Sequence, residues 1–208
     1  MPVNTVSPRP RRPQAERRAE SENRLLTASA ELLVESGISA ATFKNIARRA
    51  GLSRGLVTRR FGSKSGIIEA LIERLQTRVY TELEGRLLAE ASGLDAVIGY
   101  VNAFLDNFQG DREQRAYFVL LAASVADVSD LRVPFYRTHE VMADLLQNLL
   151  RRGVAEGSVR QDLDLRSAAL MVGSLLFGLA MQSLLDPKMD LESLRRTVIE
   201  TVRRGLAA

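Results

Sequence analysis

The sequence predicts an all-α protein in which a small unit of short helices precedes a larger helical domain. Aromatic residues make up only 5% of the 208 residues and Trp is absent, a composition that disfavours sheets. Apolar residues recur at three- and four-residue spacing along the chain, as they do on one face of a helix. Three hydroxyl side chains that can cap helices, Thr42, Ser53 and Ser63, fall within 22 residues.

The first predicted helix covers residues 16–36 and ends at Gly37, a residue that suits the left-handed position after a helix. Thr42 is predicted to cap a second, short helix over Phe43–Ala50, which Gly51 ends. Each boundary therefore depends on a capping side chain before the helix or a glycine after it.

The second and third predicted helices have the proportions of a helix-turn-helix. Ser53 is predicted to cap a third helix over Arg54–Phe61, and a tight turn containing glycine, Ala50-Gly51-Leu52-Ser53, joins the two helices. Val57 and Phe61 lie four residues apart and are predicted to pack inward. The opposite face of the third helix is then exposed and fits the major groove of DNA.

Positive charge is concentrated in the first third of the chain. Residues 1–62 hold 12 Lys and Arg against 5 Asp and Glu, whereas residues 63–208 hold 17 against 20. A basic block at one end of a helical protein indicates a polyanionic partner that this end binds. Residues 1–19 are rich in Pro and Arg and are predicted to form a flexible basic arm, which either lies along DNA or remains a solvated tail.

The segment from Thr42 to Lys64 reads TFKNIARRAGLSRGLVTRRFGSK, with Thr, Ile-Ala, Ala-Gly-aliphatic-Ser-x-Gly, Phe and Lys in that order. It closely resembles the N-terminal signature of TetR-family transcriptional regulators. The resemblance covers about residues 20–70 and implies a helix-turn-helix domain over 20–66, followed by an effector-binding and dimerisation domain over 67–208. It also implies a repressor that a small-molecule effector releases from DNA.

Position by position, the resemblance implies nine residues in contact with DNA. Thr42 and Ser53 match hydroxyls that bind phosphate, and Lys64, at the start of the fourth helix, matches a phosphate anchor. The other implied contacts are Lys44, Arg54, Gly55, Thr58, Arg59 and Arg60. Thr58 stands where the family usually has Tyr, and Arg60 where it has His or Tyr, so the half-site preference cannot be carried over from a relative. Without the motif, these arginines would read as a solvated basic face.

The rest of the chain is predicted to form a long fourth helix, ending near Leu88, and five more helices. Turn residues separate those five, which cover Leu94–Asn107, Arg112–Val125, Leu131–Gly153, Leu165–Leu185 and Leu191–Gly205. The segment from Ala155 to Leu179 weakly resembles the C-terminal domain of betaine-type repressors. This second resemblance does not identify a ligand.

Ring-bearing side chains of the second domain are predicted to line a small-molecule cavity. The candidates are Tyr100, Phe104, Phe108, Tyr117, Phe118, Phe135, Tyr136, His139 and Phe177. Each of them is also a residue that fills an ordinary core, and His139 fits a hydrogen-bonded structural or interface histidine better than a ligand sensor. The effector itself remains unidentified at this stage.

The last two helices are predicted to form a homodimer interface. An apolar stripe marks the last helix, and with the helix before it this stripe is expected to build a four-helix bundle across a two-fold axis. The expected interface residues are Leu175, Leu179, Leu191, Leu194, Val198 and Val202. A symmetric dimer presents two copies of the third helix to double-stranded DNA, which predicts a palindromic operator.

Enzymatic activity is not expected from this sequence. The chain has no Cys and one His, and it lacks the glycine-rich motifs that bind phosphates, so no metal or cofactor is predicted. Residues 167–185 are uncharged over a length that can span a bilayer, but the small and polar residues among them favour a buried helix of a cytoplasmic protein. The alternative function is a DNA-binding architectural protein without an effector and with weak sequence selectivity.

Overall fold

The computed structural model of the protein describes residues 13–88, 92–126 and 132–208, and the side chains of residues 78–88 lie outside that description. Within the described residues the chain is all-α, as predicted, with nine helices. They are α1 (Gln14–Ala40), α2 (Phe43–Ala50), α3 (Arg54–Phe61), α4 (Lys64–Leu88), α5 (Gly93–Gly110), α6 (Arg112–Ala126), α7 (Arg132–Glu156), α8 (Leu165–Leu185) and α9 (Leu191–Leu206).

α1 extends beyond the predicted helix at both ends. Pro13 precedes it with a φ of −52°, and Glu16 lies in its first turn, two features that favour a helix start. The described part of the predicted flexible arm is therefore helical from Gln14, while residues 1–12 lie outside the described residues. At the other end Gly37 breaks the helix with a φ of 74°, and a further turn follows to Ala40.

The helix-turn-helix forms where its capping residues predicted it. Thr42 and Ser53 each accept a hydrogen bond of 3.2 Å from the backbone N–H three residues later. Gly51 adopts the left-handed conformation, with a φ of 63°, and its N–H bonds back to carbonyl groups of α2. These local bonds confirm the predicted bounds of α2 and α3.

The helix-turn-helix packs on α1 and α4, which in turn pack on α6, and one continuous core runs through these helices. Leu33 of α1, Ile46 of α2, Val57 of α3 and Leu71 of α4 are buried in it together with Leu120 of α6. The boundary predicted near residue 66 therefore falls inside α4, and the two predicted domains share their packing. Packed cores do not deform freely, so a displacement of α4 would move α3, and a displacement of α6 would reach the helix-turn-helix through α1 and α4.

A second core lies among α5, α7, α8 and α9. α5 begins one residue before its predicted start, at Gly93, because Ser92 caps it by accepting a hydrogen bond of 3.1 Å from the N–H of Asp95. Gly93 also makes a close contact with α7, because a Cβ atom at this position would lie 2.2 Å from the backbone N of Gly153, closer than non-bonded atoms can approach. An isolated antiparallel bridge between Val159 and Ala207 ties the C-terminal end to the segment after α7.

The apolar stripe of α9 does not form the outer surface that the sequence analysis predicted. Leu191, Val198 and Val202 are buried inside the chain itself, where α9 packs on α5 and its neighbours. Amphipathic spacing shows that one face of a helix is buried, but not which partner buries it. These three residues are therefore corrected from interface to core, whereas Leu194 is only partly buried.

α8 carries the apolar surface that remains outside. Leu170, Met171 and Leu185 are exposed to 49%, 48% and 80%. Among the described residues α8 is the one helix that is long and apolar enough to cross a membrane, with a third of its most apolar window buried. Length and composition alone do not separate a spanning helix from a core helix of a soluble protein.

Candidate DNA interface and ligand cavity

The helix-turn-helix presents an exposed basic surface. All nine residues for which DNA contact was predicted are exposed, namely Thr42, Lys44, Ser53, Arg54, Gly55, Thr58, Arg59, Arg60 and Lys64. Among the described residues, the side chains of Lys44, Arg54 and Arg59 have no ion-pair or hydrogen-bond partner. Their charges are therefore available to a polyanion.

The short polar residues of this surface keep hydrogen-bonding capacity for a partner. Thr42 and Ser53 use their oxygens as helix caps, so each hydroxyl hydrogen can still be donated to a phosphate. Thr58 differs, because its hydroxyl already donates to the Arg54 carbonyl at 3.2 Å. A Cβ at Gly55 would meet no atom within 4 Å, so the backbone of α3 is open to close approach here.

Two of the nine residues bond to α1 within the chain. The guanidinium of Arg60 pairs with the carboxylate of Glu22, and Lys64 Nζ donates a hydrogen bond of 2.6 Å to the carbonyl of Ile38. These bonds tie the end of α3 and the start of α4 to α1. Both side chains remain exposed, where such bonds are weak and exchange readily for a phosphate.

The larger domain contains a cavity of about 670 Å³ among α4, α5, α6, α7 and α8. That volume lies in the range of small-molecule sites. The predicted ring-bearing residues on its wall are Tyr100, Phe104, Tyr117, Phe118, Phe135, Tyr136, His139 and Phe177. Most of the remaining wall is aliphatic, from Leu75 on α4 to Leu176 on α8.

Phe108 does not lie on this wall, in contrast to the sequence-based expectation. It is fully buried in the core, with its ring centroid 6.1 Å from that of Phe104 and 5.5 Å from that of Phe118. It supports the two wall residues from behind. Helical spacing places these rings near one another but does not tell which of them face the cavity.

Three polar residues of the cavity wall were not predicted from the sequence. Gln76 on α4 donates a hydrogen bond to the hydroxyl of Thr138 on α7. Gln114 on α6 is only 7% exposed, and its Oε1 has no hydrogen-bond partner among the described residues. Gln and Thr are common on exposed helix surfaces, so the sequence carried no signal for their position.

Burial shifts two tyrosines and the histidine of the wall towards their neutral forms. Burial raises the pKa of Tyr100 to about 12, and it raises the pKa of Tyr117 further. Burial also lowers the pKa of His139, whose ring meets Phe177 edge-on at 6.4 Å between centroids. The wall therefore holds neutral phenols and a neutral imidazole at pH 7.

A polar junction joins α1, α4 and α6 beside the cavity. Arg74 Nε donates to Glu113 Oε2 at 3.0 Å, and Arg74 Nη2 donates to Thr27 Oγ1 at 3.0 Å. Glu113 is buried and directly precedes Gln114, while Arg74 lies two residues before Gln76. Two of the helices that form the cavity wall, α4 and α6, are thus bonded to each other and to α1.

Comparison with known families decides what this arrangement is. The family described as "Bacterial regulatory proteins, tetR family" matches residues 25–71, and "BetI-type transcriptional repressor, C-terminal" matches residues 93–207, more than half of the chain. This protein belongs to the TetR family. As a TetR-family member it is a transcriptional regulator, and both resemblances stated from its motifs are confirmed.

Its relatives of the TetR family match over most of their length. The regulator SrpR of Pseudomonas putida is 24% identical over 165 residues, which cover 79% of this chain and 76% of SrpR. The regulator BetI of Cronobacter sakazakii is 26% identical over 187 residues, covering 88% of this chain and 89% of BetI. The structure of FadR from Bacillus subtilis in complex with stearoyl-CoA shares the fold, with a TM-score of 0.79 and 19% identity over 88% of this chain and 98% of FadR.

Proposed function

We propose that this TetR-family regulator is a homodimeric repressor that binds a palindromic operator and is released by a small molecule held in its cavity. The observation that carries the proposal is the path of α4. This helix begins at Lys64, just after α3, and its Leu75 and Gln76 form part of the cavity wall. A molecule in the cavity therefore contacts α4, the helix that adjoins the DNA-binding surface. The distance along α4 from Gln76 to Lys64 is about 18 Å.

In this proposal α3 is the recognition helix. Arg54 and Arg59 pair with guanine edges in the major groove, for which exposed, unpaired guanidinium groups are suited. Thr42, Ser53 and Lys44 bind backbone phosphates, which orient the protein without reading sequence. The remaining proposed contacts are Gly55, Thr58, Arg60 and Lys64.

A second copy of the chain is proposed to cover the outer side of α8. Met171 and Leu185 are exposed on this helix, and Leu175 and Leu179 lie partly buried beside them. An apolar surface of this kind is typical of a contact between subunits. A two-fold dimer built on α8 and the outer part of α9 presents two copies of α3, and so requires a symmetric operator.

The route from cavity to DNA surface is proposed to run through α4 and α6. Arg74 and Glu113 hold these helices together and onto α1, and residues next to each of them line the cavity. A ligand that fits better when the helices separate weakens DNA binding. A ligand with equal affinity for both arrangements would release nothing.

The cavity wall and one neighbouring fold support an effector with a long apolar part. FadR of Bacillus subtilis has been seen with stearoyl-CoA, and the wall of the present cavity is also mostly aromatic and aliphatic. The proposed location is the cytoplasm, where operator DNA is found, and α8 is assigned to the cavity and the dimer contact. No catalytic step is part of the proposal.

Selection of bound duplexes from a random DNA pool tests the proposed function. The purified protein is incubated with the pool at about physiological salt, and the retained fraction is sequenced over several rounds. Enrichment of a palindromic consensus is the expected result, and the same selection with Arg59→Ala should relax at least one base position. DNA that is retained without any enriched sequence would overturn the proposal in favour of an architectural protein.

A further inference from the structure

Among the described wall residues, Gln114 carries a buried polar atom that the protein itself does not satisfy. Its residue is 7% exposed, and its Oε1 accepts no hydrogen bond from any described residue. A buried carbonyl-type acceptor without a donor is unfavourable, and native structures rarely keep one without a reason. Gln114 lines the cavity, so a rotation of its buried amide towards the cavity allows a molecule inside to supply the missing donor.

Other polar groups on the wall differ from Gln114 in this respect. Gln76 donates to the hydroxyl of Thr138, which in turn donates to the carbonyl of Pro134 at 2.9 Å. The hydroxyl of Ser124 donates to the carbonyl of Leu121 at 2.8 Å. These groups are engaged within the chain, whereas Gln114 Oε1 is the buried acceptor of the described wall that is left without a donor.

The wall gives a charged ligand no counter-charge in its interior. The ionic groups among its described residues are Arg132, which is exposed, and Glu140, whose carboxylate is held by Arg166 at 2.7 Å. The rest of the described wall is apolar or neutral, including the buried phenols of Tyr100 and Tyr117. Moving an unpaired ion from water into such surroundings is strongly unfavourable.

We propose that the cavity takes an uncharged, largely apolar molecule with a hydroxyl or amide N–H, and that Gln114 Oε1 accepts a hydrogen bond from that group. The inference rests on the proposed function, because it names the chemical class of the effector for the same cavity. It makes Gln114 a specificity-determining residue. The proposal excludes quaternary ammonium ions as the preferred ligand, although the aromatic rings of the wall could attract such cations.

The test uses the full-length protein and a fluorescent probe, N-phenyl-1-naphthylamine, which is neutral, apolar and carries one N–H. Four competitors each contain an unbranched chain of ten carbon atoms, which in decanoate includes the carboxyl carbon, and they differ in the head group: 1-decanol, decyl methyl ether, decanoate and decyltrimethylammonium. We expect 1-decanol to displace the probe at the lowest concentration, followed by the ether. The anion and the cation should require higher concentrations, because each loses its hydration without gaining a counter-charge.

Two glutamine variants separate the hydrogen bond from general effects. Gln114→Met keeps the length of the side chain and removes the acceptor, while Gln109→Met makes the same change at an exposed position of α5. Gln114→Met should weaken the affinity for 1-decanol by about three- to tenfold and leave the affinity for the ether unchanged, because only the alcohol can donate a hydrogen bond. Without ligand its thermal midpoint should stay the same or rise, since an unpaired acceptor has been removed. Gln109→Met should leave the affinities for 1-decanol and for the ether unchanged.

A third variant shows whether the probe is in the cavity. Gly173 lies on the wall, and a Cβ there would meet no atom within 4 Å, so Gly173→Phe places a ring in the space without a backbone clash. Loss of probe binding in this variant, together with the loss of the 1-decanol preference in Gln114→Met, supports the inference.

Two results would overturn the inference and leave the effector function standing. One is tighter binding of decanoate or decyltrimethylammonium than of 1-decanol, and the other is a change below twofold in Gln114→Met, each with probe binding lost in Gly173→Phe. Probe binding that is absent, or that is the same in Gly173→Phe, would overturn both the inference and the proposed effector cavity.

Discussion

The polar junction between α1, α4 and α6 allows a quantitative test of how the helix-turn-helix is held on the larger domain. Arg74 of α4 donates hydrogen bonds of 3.0 Å to Glu113 of α6 and to Thr27 of α1. Glu113 is 7% exposed, so these bonds replace much of the hydration that its carboxylate would have in water. Arg74→Met keeps the aliphatic stem of the side chain and removes its donors.

The expected loss of stability follows from the burial of the two partners. Removing one partner of a buried ion pair costs about 3–5 kcal/mol, because the other charge stays buried. The side chain of Arg74 is 24% exposed, so water reaches the site and we expect about 3 kcal/mol for Arg74→Met. Glu113→Gln retains a hydrogen-bonding amide and should cost about 1 kcal/mol. The double variant should cost about 2 kcal/mol, which corresponds to a coupling free energy of about 2 kcal/mol.

Urea unfolding followed by circular dichroism measures these free energies. All variants are compared at one protein concentration, because dimer formation contributes to apparent stability. Arg204→Met is the control and should change stability little, since Arg204 is 83% exposed and its ion-pair partner among the described residues is Glu200 on its own helix. Two results would refute this prediction. One is a stability loss in the double variant equal to the sum of the losses in Arg74→Met and Glu113→Gln, and the other is a loss below about 0.5 kcal/mol for Arg74→Met.

Three further predictions concern DNA binding and packing. Arg54→Ala and Arg59→Ala should each cost about 1–3 kcal/mol on the selected operator and much less on random duplex, measured by fluorescence anisotropy; equal losses on both would assign that residue to phosphate contact. Lys64→Ala should weaken binding to both DNAs and reduce the slope of log affinity against log salt by about 1, and an unchanged slope would contradict a phosphate contact. Gly93→Ala should cost about 1–3 kcal/mol of stability because its Cβ meets the α7 backbone at 2.2 Å, whereas Gly110→Ala, at the other end of α5, meets nothing within 4 Å; equal costs in urea unfolding would contradict the close crossing.

Local chemistry made the helix-turn-helix predictable from sequence. The caps at Thr42 and Ser53 and the left-handed Gly51 involve bonds within a few residues of one another, so the bounds of α2 and α3 follow from residue type and spacing. The same holds for α8, whose predicted ends agree with the structure because Asp164 caps it and Asp186 follows it. The exposure of Arg54, Thr58 and Arg59 on α3 is consistent with the inward packing of Val57 on the same helix.

Tertiary choices were not predictable in this way. The stripe of Val198 and Val202 indicated a buried face, but whether α5 or a second subunit buries it depends on where the chain folds back. Phe104 and Phe108 lie four residues apart on α5, yet Phe104 lines the cavity and Phe108 lies in the core against Phe118 of α6. Their spacing in the sequence does not distinguish the two positions. The burial of Glu113 depends on Arg74, 39 residues away in sequence.

The most direct test of the account is the affinity for the selected operator with the cavity empty and occupied. Fluorescence anisotropy of the labelled duplex is measured for the natural chain and for Gly173→Phe, each with and without 1-decanol at a concentration that displaces the naphthylamine probe. The account predicts that 1-decanol weakens operator binding by about 5- to 150-fold in the natural chain and has no effect in Gly173→Phe. Operator affinity that stays constant while 1-decanol occupies the cavity would contradict it.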